Sequence, residues 1–477
     1  MRKKGSVTVF LTLILSLLLS LICASIESVR MASARTQILN GMDIGLYSLF
    51  GQYDKELLAD YDLFALDGSR GGGQLDLAAV CDELEAYMNP VLKQNSQKLT
   101  LCQSGLTGYR LLTDQKGEAF YQQIVGYMQE TLGSQGIQLL LGRMSERQEK
   151  TAQADQSANQ AQSKGSIDRY DSEMNQASEK SQQAAEEAQV VPQAPPAKNP
   201  ITIMKRIMKR GVLELVLPGG NGLSTKEIEK GTLVSGRGLQ QGMEMPDGMT
   251  VENSYTSEVL FQQYLMEHLG SYAEPSSAGL AYQMEYVFGG KNSDEDNLKA
   301  VASKLLFIRE GVNFACLMAD NVKRSEAQAL ATAIASGFLV PPAAVIIEAA
   351  LILCWAFAES VLDVRELFAG GRIPLVKSSG DWQISLGNLP DLMEGLDSMR
   401  RNDEKGMSYK DYLQVLVLTV SKEKKAMRAM DMIENTIREK GRKNFCMDSC
   451  IVALEAFADV KANKKKDFQV IRQYCYE

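Results

Sequence analysis

From Ser6 to Ser25 the chain runs for about twenty residues without one charge. As a helix rising roughly 1.5 Å per residue, such a stretch reaches roughly 30 Å, the thickness of a bilayer's hydrocarbon core. It is long enough to span, and longer than the roughly 7–15-residue apolar core of a cleaved secretory signal. Arg2, Lys3 and Lys4 precede it, while Glu27 and Arg30 follow it. That excess of positive charge before the span keeps the N-terminus in the cytoplasm and directs the rest of the chain outward. Two cleavage readings compete. Ala32-Ser33-Ala34 has the small-x-small form of a cut site but lies beyond the charges of Glu27 and Arg30, and Cys23 has the bulky Leu21 and Ile22 where a lipoprotein signal wants small residues. The expectation is a retained signal anchor over residues 1–26, crossing the cell membrane once, with the C-terminal bulk extracellular.

The remaining residues suffice for folded domains. With 477 residues, 45% of them apolar and 23% charged, the chain can bury one or two proper cores. A formal charge of -8 gives no basic footprint, so no nucleic-acid partner is expected. Eight cysteines are too few for a disulfide scaffold. Cys446 and Cys450, four apart, have neither histidine partners nor a second pair at zinc spacing. They read as structural thiols, with one disulfide as the alternative.

Along the chain, Ile38, Met42, Leu46 and Leu49 recur at helical spacing and predict that the membrane helix continues to about Leu58. Further helices are expected over 76–87 and 118–132, with a strand pair between them in LTLCQSGLTGYRLL. These elements make a small α+β domain over 27–145. Residues 146–200 turn to Gln, Ala, Ser and Glu and close on VVPQAPPAKNP, a composition that cannot bury itself and reads as a spacer. The alternative is an insertion within one domain whose two halves pack together. A larger helix-rich α+β domain is expected over 201–477. In it Ser293 and Ser408 stand as helix caps. The most apolar stretch outside the anchor is cut by Pro341-Pro342 and Glu348, so it reads as two buried helices better than as a second span. CIVALEAFADV and FQVIRQYCY alternate like strands of one sheet.

Catalytic chemistry finds little to work with. The single histidine, His268, reads as a helix-end residue and leaves multi-histidine metal sites without ligands. LVLPGGNGLSTKE places glycines after an expected strand but lacks the Gly-Lys-Ser/Thr ending of a phosphate loop. Asp60, Asp62 and Asp67 with Glu56 offer carboxylates for glycoside hydrolysis, against the plainer reading of a solvated turn. The short basic helix expected over 201–210 reads as a strand-entry helix more than a lipid-binding one. No catalytic, cofactor-binding or metal-ligating residue is assigned, and no cofactor is expected.

Basic residues, then Gly5, then Ser6-Val7-Thr8-Val9-Phe10 and an apolar run resemble the start of a prepilin, in which a peptidase cuts after the glycine and leaves the helix on the product. TadE-like pseudopilins carry this arrangement, and the resemblance implies Gly5 and Ser6 as the processing site. Pilins usually have Glu five residues after the cut; here Phe10 stands there. The stretches KGSVTVFLTLIL, ESVRMASARTQILNGMDIGLYSLFGQYDKELLADYDLFALD, EYVFGGKNSDEDNLKAVASKLLFIREGVNF, LILCWAFAESVLDVRELFAGGRIPLVK and SYKDYLQVLVL are similar to an uncharacterised family of N-terminally anchored proteins associated with tight-adherence (Tad) pilus loci of Gram-positive bacteria. The resemblance implies a non-enzymatic accessory or minor-pseudopilin-like subunit with protein partners in a pilus or secretion assembly. The alternatives are an anchored cell-wall glycan hydrolase using acidic residues, and an extracytoplasmic binding or sensor domain.

Overall fold

The computed structural model describes residues 4–94, 99–164, 200–217, 222–243, 245, 254–337, 343–391, 406–462 and 466–476, together with 172, 176 and 179. The fold is α+β, helix-dominated with a small antiparallel sheet. It divides into two units: Met1–Tyr127 with Gly231–Glu252 and Ile433–Glu477, and Met128–Lys230 with Asn253–Met432.

In the first unit, α1 (Lys4–Phe50) is one helix of 47 residues. Its C-terminal half buries Ala34, Ile38, Met42, Leu46 and Leu49, the stripe that its spacing predicts. It stops at Phe50, short of the expected Leu58, because Asp54 starts a new helix: its carboxylate accepts from the Glu56 and Leu57 N–H groups, both at 3.0 Å. This second helix is α2 (Lys55–Tyr61), ended by Asp62 at φ 50°. Asp76 caps α3 (Leu77–Lys93), whose Val80, Leu84, Met88 and Leu92 are buried. Gly41 faces Leu92 and Gly45 faces Met88, so α1 and α3 run antiparallel with two glycines at their closest approach.

Those helices cover one face of the sheet. Its central strand is β3 (Cys450–Ala462), paired antiparallel with β1 (Leu66–Asp67), β2 (Leu99–Leu111) and β4 (Lys466–Cys475). Leu454, Ala456, Ala458, Val460 and Ala462 point into the core, while Glu455, Phe457 and Asp459 between them are half-exposed, the period of two that a one-sided sheet requires. Two expectations change here. LTLCQSGLTGYRLL is one strand, β2, bent by three register shifts against β3, because its long central partner leaves no place for a turn. The C-terminal strands do pair with each other, yet they complete the sheet of the first unit, so the helix-rich domain does not run unbroken over 201–477.

Helix α4 (Asp114–Lys164) begins in the first unit and continues in the second. It runs on past Leu132, where the expected helix ends, with Gly133 at φ 62° inside it. The second unit holds α5 (Pro200–Met208), α6 (Val212–Val216), α7 (Tyr255–His268), α8 (Gln283–Gly289), α9 (Asp294–Ala319), α10 (Asn321–Gly337), α11 (Ala344–Phe368), α12 (Tyr409–Leu418) and most of α13 (Lys422–Glu439). Residues 146–164 are helical, and 151–158 pack: a Cβ on Gly311 of α9 would meet Ala158, and Lys304 pairs with Asp155 at 2.8 Å. A partly helical spacer is consistent with that helix, though its packing on α9 is more than the composition suggests, and most of the remainder, 165–199, lies outside the described residues. Ser293 caps α9, and Ser408 with Asp411 forms a capping box on α12. The apolar stretch forms α10 and α11, and 78% of the most apolar window of α11 is buried. Pro341 and Pro342 lie outside the described residues. Val212–Val216 is helical where a strand before the glycines is expected.

Candidate functional site

Apolar side chains on the N-terminal half of α1 have nothing to cover them. Phe10, Leu13, Leu17 and Leu21 are each 60% exposed or more, and no residue of the most apolar window is buried. Leaving such a surface in water costs about 25 cal/mol per Å². The polar groups along it need no water: the Thr12, Ser16 and Ser20 hydroxyls donate to the carbonyls of Val9, Leu13 and Leu17 at 2.8–2.9 Å. A helix with satisfied backbone and hydroxyls and an apolar surface is suited to hydrocarbon. It is a candidate membrane anchor by length and composition. Gly5 and Ser6 lie in its first turn, directly after Lys4.

The other half of α1 is fastened along β4. Lys466 lies 3.8 Å from Glu27, Arg472 pairs with Asp43 at 2.9 Å, and Tyr474 packs on Tyr47 and Phe50. The Tyr476 hydroxyl donates to the Phe50 carbonyl at 2.6 Å. One helix thus joins an uncovered apolar segment to the sheet.

Of the acidic residues singled out in the sequence, Glu56, Asp60 and Asp67 meet basic side chains. Arg442 donates to Asp54 at 2.5 Å and to Asp67 at 3.0 Å, with Glu56 at 3.5 Å, and Asp60 pairs instead with Lys440. Burial disfavours the Arg442 charge, but these acids outweigh it and raise its pKa.

A second cluster joins Glu434, Cys446 and Asp448, whose ligand atoms lie within 4.8 Å of one another. Sequence spacing hides it, since Glu434 is on α13 and the others precede β3. Arg237 binds Glu434 and Asp448 at 2.5 Å each, and Arg438 contacts Glu434 at 2.7 Å and the Cys446 sulfur at 3.3 Å. Two guanidinium groups balance the two carboxylates, so no surplus negative charge draws a cation. Burial and then Glu434 push the Cys446 thiol up, away from the thiolate that a metal needs. Cys446 and Cys450 are both free thiols.

The second unit holds a buried network. Lys377 lies between Glu359 and Asp363, 2.5 Å from each, and Arg309 donates to Asp363 at 2.8 and 3.0 Å and to the Tyr412 hydroxyl at 3.2 Å. Burial opposes the Asp363 charge, yet Arg309 and Lys377 prevail and hold its carboxyl below the usual range. Glu285, fully buried, accepts from the Tyr409 hydroxyl and the Tyr272 N–H through Oε1, while Oε2 has no hydrogen-bond partner among the described residues. Burial pushes its pKa up to about 7. His268 ends α7, stacked on Tyr264. The sequence reading missed these charges; the signal was Glu359 and Asp363, one helical turn apart inside an apolar run.

A sequence family described only as a family of unknown function (DUF5702) matches residues 192–462, more than half of the chain. The chain belongs to that family. The matched DUF5702 residues contain β3 but not its partners β1, β2 and β4, nor the anchor helix, so the central strand of this sheet depends on residues outside the match. Comparisons with curated proteins and with solved structures give no match.

Proposed function

We propose that this protein is a non-enzymatic, N-terminally anchored subunit of a tight-adherence pilus or related secretion assembly, accessory or minor-pseudopilin-like. Its N-terminus faces the cytoplasm and its C-terminal bulk lies outside the cell. The observation that carries this reading is the continuity of α1, an uncovered apolar half running without a break into a half packed on the sheet. A helix so built transmits position from a bilayer to a folded head, as a pilin-like subunit requires. The non-enzymatic part is supported by carboxylates committed to arginines.

Membrane washing and gene deletion test it. The chain should stay with membranes in high salt, which weakens charge contacts, and should leave them only in detergent. Deleting the gene should reduce surface fibres while their main subunit is still made. Recovery of the protein in the medium with Arg35 at its N-terminus would remove the anchor, and undiminished fibres in the deletion strain would remove the assembly role.

A further inference from the structure

A helix and a strand lying side by side reach the same level when their rises match. From Glu27 to Phe50, α1 climbs about 34 Å at 1.5 Å per residue, and from Lys466 to Tyr476 the β4 strand climbs about 33 Å at 3.3 Å per residue. The contacts keep step: Lys466 with Glu27, Arg472 with Asp43, Tyr476 with Phe50. The end of the β3–β4 hairpin, where Ala462 pairs with Lys466, is therefore level with Glu27. Glu27 directly follows Ile26, which closes the uncharged stretch.

That level has a chemical identity if α1 spans. A bilayer adds roughly 5–8 Å of headgroup on each side of its hydrocarbon core. With Ile26 at the core's edge, Glu27 and Arg30 rise about 1.5 and 6 Å beyond it, inside that layer. Lys461 and Lys466 are half-exposed there, and Arg30 is exposed. Their protein partners hold them loosely: Lys461 is 3.7 Å from Asp467, and Lys466 is 3.8 Å from Glu27. Such exposed pairs are worth little in water, so a phosphate can compete for the ammonium groups.

We propose that Lys461, Lys466 and Arg30 bind the phosphates of anionic lipid headgroups around α1, so that the sheet rests on the membrane at its hairpin end. This rests on the anchor reading of α1. Glu27 and Asp467 share the layer and offset part of the charge, which makes the contact one with a few phosphates. It would fix the tilt of the head relative to the span, a second constraint beyond the single helix.

The test reconstitutes the full chain into nanodiscs of phosphatidylcholine alone or mixed with phosphatidylglycerol, at low ionic strength, and measures lysine acetylation by peptide mass spectrometry. A basic residue at an anionic surface is favoured about fivefold, so acetylation of Lys461 and Lys466 should slow roughly three- to fivefold in the anionic discs. Lys440, paired with Asp60 on α2, is the internal reference and should not change. High salt should abolish the difference. Equal labelling in both discs, with the chain inserted, overturns the headgroup contact and leaves the anchor standing. Equal protection in phosphatidylcholine discs by added inorganic phosphate overturns the lipid as the source. A chain that fails to enter either disc overturns both readings.

Discussion

Glu285 offers a quantitative test of how the second unit is held. Its carboxyl is fully buried; Tyr409 and the Tyr272 N–H donate to one oxygen, Asp294 and Tyr282 lie near, and burial raises its pKa from 4.5 to about 7. The folded state thus keeps a proton that the unfolded chain gives up. Below about pH 4.5 both states are protonated and the group is neutral to stability; as pH rises the unfolded state deprotonates first, and stability falls until about pH 7. A gap of about 2.5 pH units at 1.36 kcal/mol each is roughly 3 kcal/mol, most of it lost between pH 5 and pH 8. Glu285→Gln imitates the protonated side chain, keeping an oxygen for Tyr272 and Tyr409. It should leave stability near wild type at pH 5 and exceed wild type by about 2–3 kcal/mol at pH 8. The assay is urea unfolding in detergent followed by tryptophan fluorescence, since both tryptophans, Trp355 and Trp382, lie in this unit with rings 6.0 Å apart. Parallel pH curves for the two proteins would refute the argument, because they would mean that Glu285 titrates alike folded and unfolded.

Lys377→Met should destabilise the same unit by about 3–5 kcal/mol, since it leaves Glu359 and Asp363 buried beside one missing cation; adding Glu359→Gln should restore part of the loss, and an unchanged urea midpoint counts against the network. Gly45→Val should cost about 1–3 kcal/mol, because even its Cβ would lie 2.6 Å from Met88 Cγ, and hydrogen exchange in β2 and β3 should quicken accordingly. Iodoacetamide at neutral pH should modify the exposed Cys102 and Cys475 quickly, Cys446 slowly, and Cys354 and Cys450 only after unfolding, the Cys354 thiol being pushed up to about 12 by burial. If a prepilin peptidase acts on this chain, the membrane-bound protein should begin at Ser6, and Gly5→Leu should block the cut and leave the basic residues on it; an intact Met1 or Arg2 terminus in the wild type would retire the pseudopilin label.

Legibility followed the range of the forces involved. Helical periodicity of Ile38, Met42, Leu46 and Leu49, the caps at Ser293 and Ser408, and the alternation of 450–460 are local signals, and the corresponding elements formed. Pairing is not local. Nothing near Leu99 announces that its strand will meet Ala462 across more than three hundred and fifty residues. LTLCQSGLTGYRLL therefore looked like a strand pair, since a Gly-containing segment between apolar runs is also how a hairpin reads. Glu56 and Asp67 looked like free acids for the same reason: Arg442, which pairs with both, comes nearly four hundred residues later. The packing of the helix over 151–158 was missed because alanines make its seam: Ala154 and Ala158 are buried, with Gly311 admitting Ala158.

Among the described residues two helices are long and apolar enough to cross a bilayer, and their polar groups separate them. On α1 the polar side chains of the apolar half are hydroxyls that donate to their own helix, so they ask nothing of a neighbour. On α11 they include Glu359, Asp363 and Arg365, which take their partners from other segments: Lys377 and the Gln383 and Ile384 N–H groups for Glu359, Arg309 and Asn313 for Asp363, the Leu215 carbonyl for Arg365. Moving α11 into lipid would strand three ionised groups, each costing several kcal/mol even after relaxation. Moving α1 into lipid strands none over its apolar half and removes its exposed leucines from water. Hydropathy ranks both as spans, but the demand of each helix for partners leaves α1 as the candidate anchor and holds α11 in the protein interior.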